Sequence, residues 1–214
     1  MERENLDIQE QAERLYGDFP VFKGRENQSY SVGGNGGFGK EVWESRSVAV
    51  VLTIVFWDKQ NNDFYIPMGK RGIACPDEIG KFSLPCGYMD WDESATDSAF
   101  RETWEEIGLF MEKFLFINTL KGKVAHQFTD QPWHVGHHPN ANRQNVTLNF
   151  GVVVEWDDMD NLPELTNAYN EKVGEVDEIK YFNFHEYLKG SSDDDIAFGH
   201  QHVVEGFLKR LDYV

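Results

Sequence analysis

The sequence predicts an α+β domain, because strands, one helix, further strands and a closing helix follow each other along the chain. The chain has 214 residues, of which 40% are hydrophobic and 14% aromatic, enough to build one core of ordinary size. The first strong strand begins at residue 47. We therefore divide the chain into an N-terminal extension, residues 1–46, and a folded domain, residues 47–214.

The extension is predicted to contain a short helix and a glycine-rich segment. Apolar residues recur at helical spacing over residues 6–16, and Gly17 and Pro20 follow as stop signals. Residues 31–39 read SVGGNGGFG, which is typical of a loop or a hairpin.

The first half of the domain is predicted to form a hairpin followed by a helix. Residues 48–57 are nearly all apolar and β-branched, which indicates a strand buried on both faces, and residues 63–68 return as its partner. A helix is predicted over residues 94–107, because Ser94 and Asp97 are spaced as a capping box and Gly108 is a C-terminal stop signal.

The second half is predicted to add three strands and a terminal helix. The strands are expected at residues 114–128, 145–156 and 178–184, and the helix at residues 200–211. Residues 157–176 form a long acidic connection. The histidines at positions 134, 137 and 138 are expected in a polar loop rather than at a metal ion.

The charge balance restricts the choice of partners. The chain has 20 Lys and Arg against 37 Asp and Glu, a formal net charge of −17. Such a field repels polyanions, so we expect no binding to duplex nucleic acid or to an anionic membrane. A small anionic substrate remains compatible with this charge if a divalent cation mediates its binding.

The cysteines and the apolar runs predict a cytoplasmic protein. Cys75 and Cys86 have no zinc-binding pattern and are too few for a disulfide scaffold, which fits a reducing compartment. The first residues have no apolar run like that of a secretory signal. The longest apolar run, residues 48–57, is far shorter than the ~20 residues of a membrane helix.

Three glutamates mark the predicted helix as a site of chemistry. At about 100° per residue, Glu102, Glu105 and Glu106 fall within a ~100° arc, beside a stripe of apolar residues. Like charges at this spacing repel each other, and a hard divalent cation bound by oxygen ligands would compensate them. The pattern predicts a Mg²⁺ site, with Mn²⁺ as a second candidate; a solvated helix face is the alternative.

The residues around these glutamates match a longer pattern, G-x₅-E-x₇-R-E-U-x-E-E-x-G-U, in which U is bulky and apolar. The matching residues are Gly87, Glu93, Arg101, Glu102, Glu105, Glu106, Gly108 and Leu109. This segment resembles the Nudix box. The resemblance implies an α/β/α sandwich around a mixed β-sheet, and hydrolysis of a diphosphate linkage in a nucleoside diphosphate joined to another moiety.

Two positions depart from the Nudix pattern. Thr103 stands where the family prefers Leu, Ile or Val, and its hydroxyl could bond back to the carbonyl of Ala99. Cys86 stands where many members have glycine. By the resemblance, this position offers its backbone carbonyl to the metal, so Cys86 joins the three glutamates as a candidate ligand; a reactive thiol is the competing interpretation.

The resemblance also implies catalytic roles. Glu102, Glu105 and Arg101 are candidate catalytic residues, and Glu93 is expected to pair with Arg101 and to orient the carboxylates. The general base would be Glu102, Glu105 or a glutamate from beyond the box, among which we favour Glu175. The other glutamates available there are Glu164, Glu171 and Glu178.

Four basic residues are candidates for substrate binding, although surface salt bridges would explain them equally well. They are Lys70, Arg71, Arg46 and Arg143. Trp133 or Phe128 could stack on a base, with core packing as the alternative.

The predicted function is Mg²⁺-dependent hydrolysis of ADP-ribose or a nucleoside diphosphate sugar. Residues 142–146 and the ending Ala197-Phe198-Gly199-His200 look more like that branch of the family than like the short nucleoside-triphosphate hydrolases. Hydrolysis of RNA 5′ ends, caps or dinucleoside polyphosphates is the alternative activity, and a non-catalytic nucleotide-binding module is the alternative class. A homodimer is compatible with the sequence.

Overall fold

The computed structural model describes residues 15, 17, 29–32, 40–43, 48–139, 144–168, 173–192 and 194–214. Ten strands lie in these ranges: β1 (Ser29–Val32), β2 (Lys40–Trp43), β3 (Val48–Asp58), β4 (Asp63–Arg71), β5 (Phe82–Ser83), β6 (Cys86–Tyr88), β7 (Val124–Phe128), β8 (His134–Pro139), β9 (Gln144–Glu155) and β10 (Val176–Asn183). The α-helices are α1 (Ala95–Ile107), α2 (Met111–Leu120) and α3 (His200–Arg210). Shorter helical turns are Met159–Asn161, Phe184–Leu188 and Ala197–Gly199.

The main sheet has eight strands and is mixed. Its central path runs β10-β4-β3-β9-β7, while β5 pairs with β4, β6 with β3 and β8 with β9. The long strands β3 and β9 are parallel, and their other neighbours are antiparallel. The α+β class and the mixed sheet that were predicted are confirmed.

Helices cover both faces of this sheet, so the fold has three layers. Alternate side chains of β3 point to opposite faces. Val50, Leu52, Ile54 and Phe56 belong to the core on the side of α1 and α2. Val51 and Val55 belong to a second core, which α3 closes through Val204, Phe207 and Leu208. Among the described helices, none is both long enough and apolar enough to cross a membrane.

Helix α1 begins and ends where the sequence predicts. The Ser94 side chain accepts a hydrogen bond from the Asp97 backbone N–H, and the Asp97 side chain accepts one from the Ser94 backbone N–H. Gly108 ends the helix in the left-handed conformation, with φ 73°. This cap fixes the direction in which the chain leaves the helix.

The strand predicted over residues 114–128 is wrong in its first half. Residues 111–120 form α2, and only β7 is extended. Met111, Phe114, Leu115 and Asn118 are buried at spacings of three and four residues, which is the period of a helix. The local run Phe114–Phe116 has no polar residue to reveal that period.

The region of the histidines was also predicted wrongly, because residues 134–139 form the strand β8 rather than a loop. β8 pairs antiparallel with the first half of β9. The remaining strands and the terminal helix are confirmed within three residues of their predicted ends. The predicted helix over residues 6–16 lies outside the described residues except at one position, whereas β1 and β2 pair antiparallel on either side of the glycine-rich segment, as a hairpin requires.

Candidate active site

A buried arginine at the middle of helix α1 organises the carboxylates around it. The Arg101 side chain is only 9% exposed and pairs with four carboxylates, those of Asp90, Glu93, Glu102 and Glu105. Its Nη1 lies 2.7 Å from Glu102 Oε1 and 3.0 Å from Glu105 Oε2. Its Nη2 and Nε lie 2.9 Å and 3.1 Å from the two carboxylate oxygens of Glu93. One guanidinium thus holds two neighbouring helix carboxylates and the loop before them.

The predicted pairing of Glu93 with Arg101 is therefore confirmed. Glu93 Oε1 also accepts a hydrogen bond of 2.6 Å from the Asp90 N–H, and Arg101 Nη2 donates to the carbonyl of Tyr88. Burial acts to raise the pKa of Glu93, but the hydrogen bonds from Arg101 and Asp90 outweigh it and lower the pKa. Glu93 therefore stays ionised and ties the loop to the helix.

Arg101 stays charged for the same reason. Burial alone would lower the pKa of its guanidinium, but the hydrogen bonds to Glu93 and the charges of Glu102 and Glu105 raise it. Hydrogen bonds and ion pairs with several carboxylates hold the guanidinium of Arg101 in place. Arg101 in turn fixes the positions of these carboxylates.

Glu102 and Glu106 lie against the backbone of β6 at Cys86 and Gly87. Glu106 Oε2 accepts a hydrogen bond of 3.1 Å from the Cys86 N–H. A Cβ atom on Gly87 would overlap the carboxylate of Glu102. A side chain at residue 87 would therefore have to displace the Glu102 carboxylate from this position.

These carboxylates are held in an environment that disfavours their charge. Burial raises the pKa of Glu102 to about 7, and the pKa of Glu106 lies well above its ordinary value because of burial and the nearby charge of Glu102. Burial also raises the pKa of Glu105, against the opposing charge of Arg101. A bound cation would stabilise the ionised form of all three side chains.

The donor set suits a hard divalent cation, but its atoms are not gathered for one. Among the described residues, no group of three or more His, Cys, Asp or Glu side chains is arranged to hold a metal ion. Arg101 Nη1 lies between Glu102 and Glu105, where it binds both carboxylates. Carboxylate oxygens on one rigid face, packed against a glycine, nevertheless fit Mg²⁺ or Mn²⁺ in chemistry. Binding of a metal ion would require these glutamate side chains to rearrange, because Arg101 now holds two of them.

The reactive-thiol interpretation of Cys86 finds no support in the surroundings of that residue. Both cysteines are free. Burial, and then the nearby charge of Glu106, raises the pKa of the Cys86 thiol well above its usual value. A thiolate is therefore disfavoured there, which leaves the backbone carbonyl as the group of interest.

The favoured base, Glu175, is brought close to the cluster. It is exposed on the segment before β10, and its charge raises the pKa of Glu102, Glu105 and Glu106. Its carbonyl accepts hydrogen bonds from the Gly72 N–H, at 2.8 Å, and from the Cys75 thiol, at 3.2 Å.

The other acidic candidates are placed differently. Glu178 lies between Lys70 and Lys180, with a 2.6 Å contact to Lys180 Nζ. Glu164 is exposed in the connection before β10, and Glu171 lies outside the described residues.

Arg71, a candidate for substrate binding, is buried at the end of β4. Its Nε donates to the carbonyl of Asp77, and its Nη2 lies 3.1 Å from Asp77 Oδ1. Its Nη1 has no hydrogen bond to any described residue. The positive charge of Arg71 acts to lower the pKa of Glu106, although burial dominates there. Arg71 is thus a second buried cation beside the carboxylates.

The remaining candidates are less informative. Lys70 is partly exposed and lies 4.0 Å from a Glu178 oxygen. Arg46 and Arg143 lie outside the described residues. Trp133 and Phe128 pack near the ring of Phe207, at 5.3 Å and 6.1 Å, in the core beneath α3. Core packing therefore accounts for both aromatics.

A profile of the NUDIX domain matches residues 47–207, which is well over half of the chain. The chain belongs to the NUDIX domain family. Hydrolases of this family generally use divalent metals, and the chain retains the four glutamates of the box, Glu93, Glu102, Glu105 and Glu106. No curated protein sequence matches the chain significantly.

Solved structures of NUDIX proteins share the fold at low sequence identity. A MutT/nudix family protein from Enterococcus faecalis has a TM-score of 0.54 and 17% identity, over 80% of this chain and 64% of that one. The NUDIX domain of Shewanella oneidensis NrtR, complexed with ADP ribose, has a TM-score of 0.51 and 14% identity, over 78% and 90%. A bifunctional NMN adenylyltransferase/ADP ribose pyrophosphatase from Francisella tularensis, complexed with AMP and a Mn ion, has a TM-score of 0.51 and 19% identity, over 78% and 42%.

This chain spans less than two thirds of the Enterococcus and Francisella proteins. The likeness therefore describes one shared domain, and at these identities it concerns the fold alone.

The unusual threonine of this NUDIX box is accommodated as the sequence predicts. Thr103 is fully buried, and its hydroxyl donates a 2.7 Å hydrogen bond to the carbonyl of Ala99. The hydroxyl is satisfied within the helix, so the departure leaves the box geometry intact.

Sequence reasoning missed three residues near the NUDIX box. Asp90 adds a fourth carboxylate to Arg101, Asp77 binds Arg71, and Phe198 packs on the guanidinium of Arg71. Asp90 precedes Glu93 by three residues and could have been found from the loop. The contacts of Arg71 with Phe198 join distant parts of the chain and leave no local signal.

Proposed function

We propose that this NUDIX chain is a Mg²⁺-dependent hydrolase that cleaves the diphosphate linkage of a nucleoside diphosphate derivative. ADP-ribose or a nucleoside diphosphate sugar is the proposed substrate. The observation that carries the proposal is the pair of carboxylates of Glu102, which is half-buried, and Glu106, which is buried, packed against the backbone of Cys86 and Gly87. Because their surroundings raise the pKa of both side chains, a bound divalent cation would stabilise their ionised form.

The metal would be held by Glu102 and Glu106, with Glu105 and the backbone carbonyl of Cys86 completing the protein ligands. Mn²⁺ has the same preference for oxygen and can replace Mg²⁺. When bound, a divalent cation offsets charge on phosphate oxygens and lowers the pKa of water.

Other residues would orient the glutamates, accept a proton and bind the phosphate. Arg101 and Glu93 orient the glutamates, since they fix the loop and the helix to each other. Glu175 accepts the proton of the attacking water, because it is exposed and anchored next to the cluster. Arg71 directs its Nη1 toward a phosphate oxygen while Asp77 holds its other nitrogens.

Two kinds of observation favour ADP-ribose or a nucleotide sugar over RNA. The net charge of −17 opposes a polyanion, whereas a small diphosphate chelated by a metal is compatible with it. The NUDIX domain of NrtR was crystallised with ADP ribose, and the Francisella protein with AMP and a Mn ion. We extend this ligand class to the present chain on the strength of the shared fold and the resemblance of residues 197–200.

We also propose a cytoplasmic location, because free cysteines are usual in proteins of a reducing compartment. A homodimer, compatible with the sequence, remains to be tested by size measurement in solution.

The experiment is product analysis of the wild-type chain with Mg²⁺ on ADP-ribose, a nucleoside diphosphate sugar, a dinucleoside polyphosphate and 5′-triphosphate RNA. We expect AMP and ribose 5-phosphate from ADP-ribose. Glu106→Gln should lower kcat by about a thousandfold, on the scale of losing one transition-state charge stabiliser, while the far-UV spectrum and Tm stay native-like.

Glu205→Gln is the matched control, since Glu205 is a glutamate of α3 whose partner is Lys209. It should keep wild-type turnover. Preferred cleavage of RNA or a dinucleoside polyphosphate would replace the substrate assignment. No product from any compound would favour a nucleotide-binding module instead of an enzyme.

A further inference from the structure

Phe198 is an exposed aromatic residue with an unusual backbone. Its side chain is 43% exposed, although the neighbouring Ile196 and Ala197 are fully buried and His200 is 4% exposed. Its φ of 57° and ψ of 15° lie in the left-handed region. A bulky side chain is an outlier in that region, and strained residues of this kind concentrate at ligand sites.

Hydrogen bonds hold the chain on both sides of Phe198, so the position of its side chain is fixed by the fold. Phe82 N–H donates a 3.0 Å hydrogen bond to the carbonyl of Asp195, and Phe82 also forms a β-bridge with Ile196. His200 Nδ1 accepts a 3.0 Å hydrogen bond from the Leu84 N–H. These contacts hold both sides of residue 198 while the ring stays open to solvent.

Arg71 packs on the ring of Phe198. The guanidinium carbon lies 4.7 Å from the ring centroid, and Asp77 fixes the guanidinium on another side. An arginine held in this way stiffens the ring and leaves part of the ring surface exposed. The guanidinium and the ring together form one contiguous surface.

Two sets of contacts connect Phe198 and Arg71 to the carboxylate cluster. Arg71 follows Gly69 by two residues, and a Cβ atom on Gly69 would lie 3.9 Å from the carbonyl oxygen of Glu106. In the second set, Leu84, which binds His200, precedes Cys86 by two residues, and Cys86 binds Glu106. Because Arg71 packs on Phe198 and its charge acts on Glu106, Phe198 lies beside the cation that we assign to the phosphate.

We propose that Phe198, stiffened by Arg71, is the platform on which the planar base of the nucleotide substrate stacks. The inference rests on the proposed nucleotide substrate and deepens it, since it assigns the recognition of the base to one side chain. Every base has a flat π-face, so stacking selects a nucleoside over a sugar without requiring one particular base.

The test compares AMP with ribose 5-phosphate, which share the phosphate and the sugar but differ in the base. Isothermal titration with each ligand, in excess Mg²⁺, should show tighter binding of AMP by the wild-type chain. Phe198→Leu and Phe198→Gly should weaken AMP binding by about fivefold or more, the scale of one lost base stack. Binding of ribose 5-phosphate should change by less than about twofold in both variants.

The variants are chosen so that a folding defect cannot imitate the result. Glycine adopts a positive φ without strain, so Phe198→Gly should keep or raise Tm while it loses AMP affinity. Phe198→Tyr should restore AMP binding to within about twofold of wild type. Tyr187→Leu is the matched control, because Tyr187 is a comparably exposed aromatic, 41%, that packs on Phe182.

Three results would overturn the inference: unchanged AMP affinity in the leucine and glycine variants, an equal loss for both ligands, or a wild-type chain that binds AMP no more tightly than ribose 5-phosphate. Failure of the proposed function is distinguishable, because it appears as absence of hydrolysis, whereas these titrations measure binding alone. If the chain binds AMP through Phe198 but hydrolyses none of the compounds, the stacking role of Phe198 stands and the proposed enzymatic function fails.

Discussion

Arg101 and Arg71 are both buried next to the NUDIX carboxylates, yet their surroundings differ. Arg101 pairs with four carboxylates and donates to the Tyr88 carbonyl, so its hydrogen-bonding capacity is directed into the protein. The Arg71 guanidinium contacts only Asp77 and the ring of Phe198 among the described residues, and its Nη1 has no hydrogen-bond partner there.

The difference assigns Arg101 a structural role and Arg71 a role in ligand binding. An arginine that neutralises buried carboxylates is needed for the fold itself, because its removal leaves uncompensated charge. An arginine held by one acid and one ring keeps hydrogen-bonding capacity for a ligand. The two sites therefore predict different consequences for the same substitution.

The largest effect is expected for Arg101→Met. Glu93, whose side chain is 4% exposed, and Glu102 would both lose their buried partner. Breaking a buried ion pair by removing one member costs about 3–5 kcal/mol of unfolding free energy. Urea unfolding of the metal-free chain, followed by circular dichroism, measures this loss, and activity should fall with it.

Lys209→Met provides the comparison, since Lys209 forms an exposed pair with Glu205 on α3. Its effect should stay below about 0.5 kcal/mol. If the unfolding free energy of Arg101→Met were as high as that of this control, Arg101 would not stabilise the fold through its buried ion pairs.

A smaller and different effect is expected for Arg71→Met. Asp77 is about one-third exposed and can be hydrated when its partner is removed, so the unfolding free energy should fall by only about 1 kcal/mol. The loss of a charged hydrogen bond to phosphate should raise KM for ADP-ribose roughly tenfold to a hundredfold, with kcat within about threefold of wild type. Steady-state kinetics with Mg²⁺ measures both constants.

Lys180→Met is the control for charge alone, because Lys180 is an exposed cation on the neighbouring strand β10. It should leave KM within about twofold of wild type. An equal rise of KM in both variants would mean that Arg71 acts through the general field and not through contact.

Local patterns predicted the parts of the fold whose cause is local. The capping box at Ser94, the stop at Gly108 and the apolar run of β3 each depend on neighbouring residues, and all three are confirmed. The assignment of residues 114–120 to a strand failed because packing against the sheet, rather than local alternation, decides between helix and strand for a short apolar run.

The site divides in the same way. The bond from Thr103 to Ala99 was predicted from helical spacing, and the pairing of Glu93 with Arg101 was expected from the resemblance to the Nudix box. The position of Arg71 beside Phe198 arises because the end of β4 meets the segment before α3, a contact between distant parts of the chain. The position of Arg101 between Glu102 and Glu105 could not be foreseen either, since spacing alone favoured a gathered metal site.

Glu102 and Glu106 are proposed to bind a divalent cation. Mn²⁺ titration followed by electron paramagnetic resonance tests this proposal most directly. Wild type and Glu205→Gln should bind Mn²⁺ with the same affinity, and excess Mg²⁺ should displace it. Glu106→Gln should bind Mn²⁺ at least about tenfold more weakly, because it loses a ligand and not merely a supporting contact. Equal Mn²⁺ affinity in all three proteins would contradict the account.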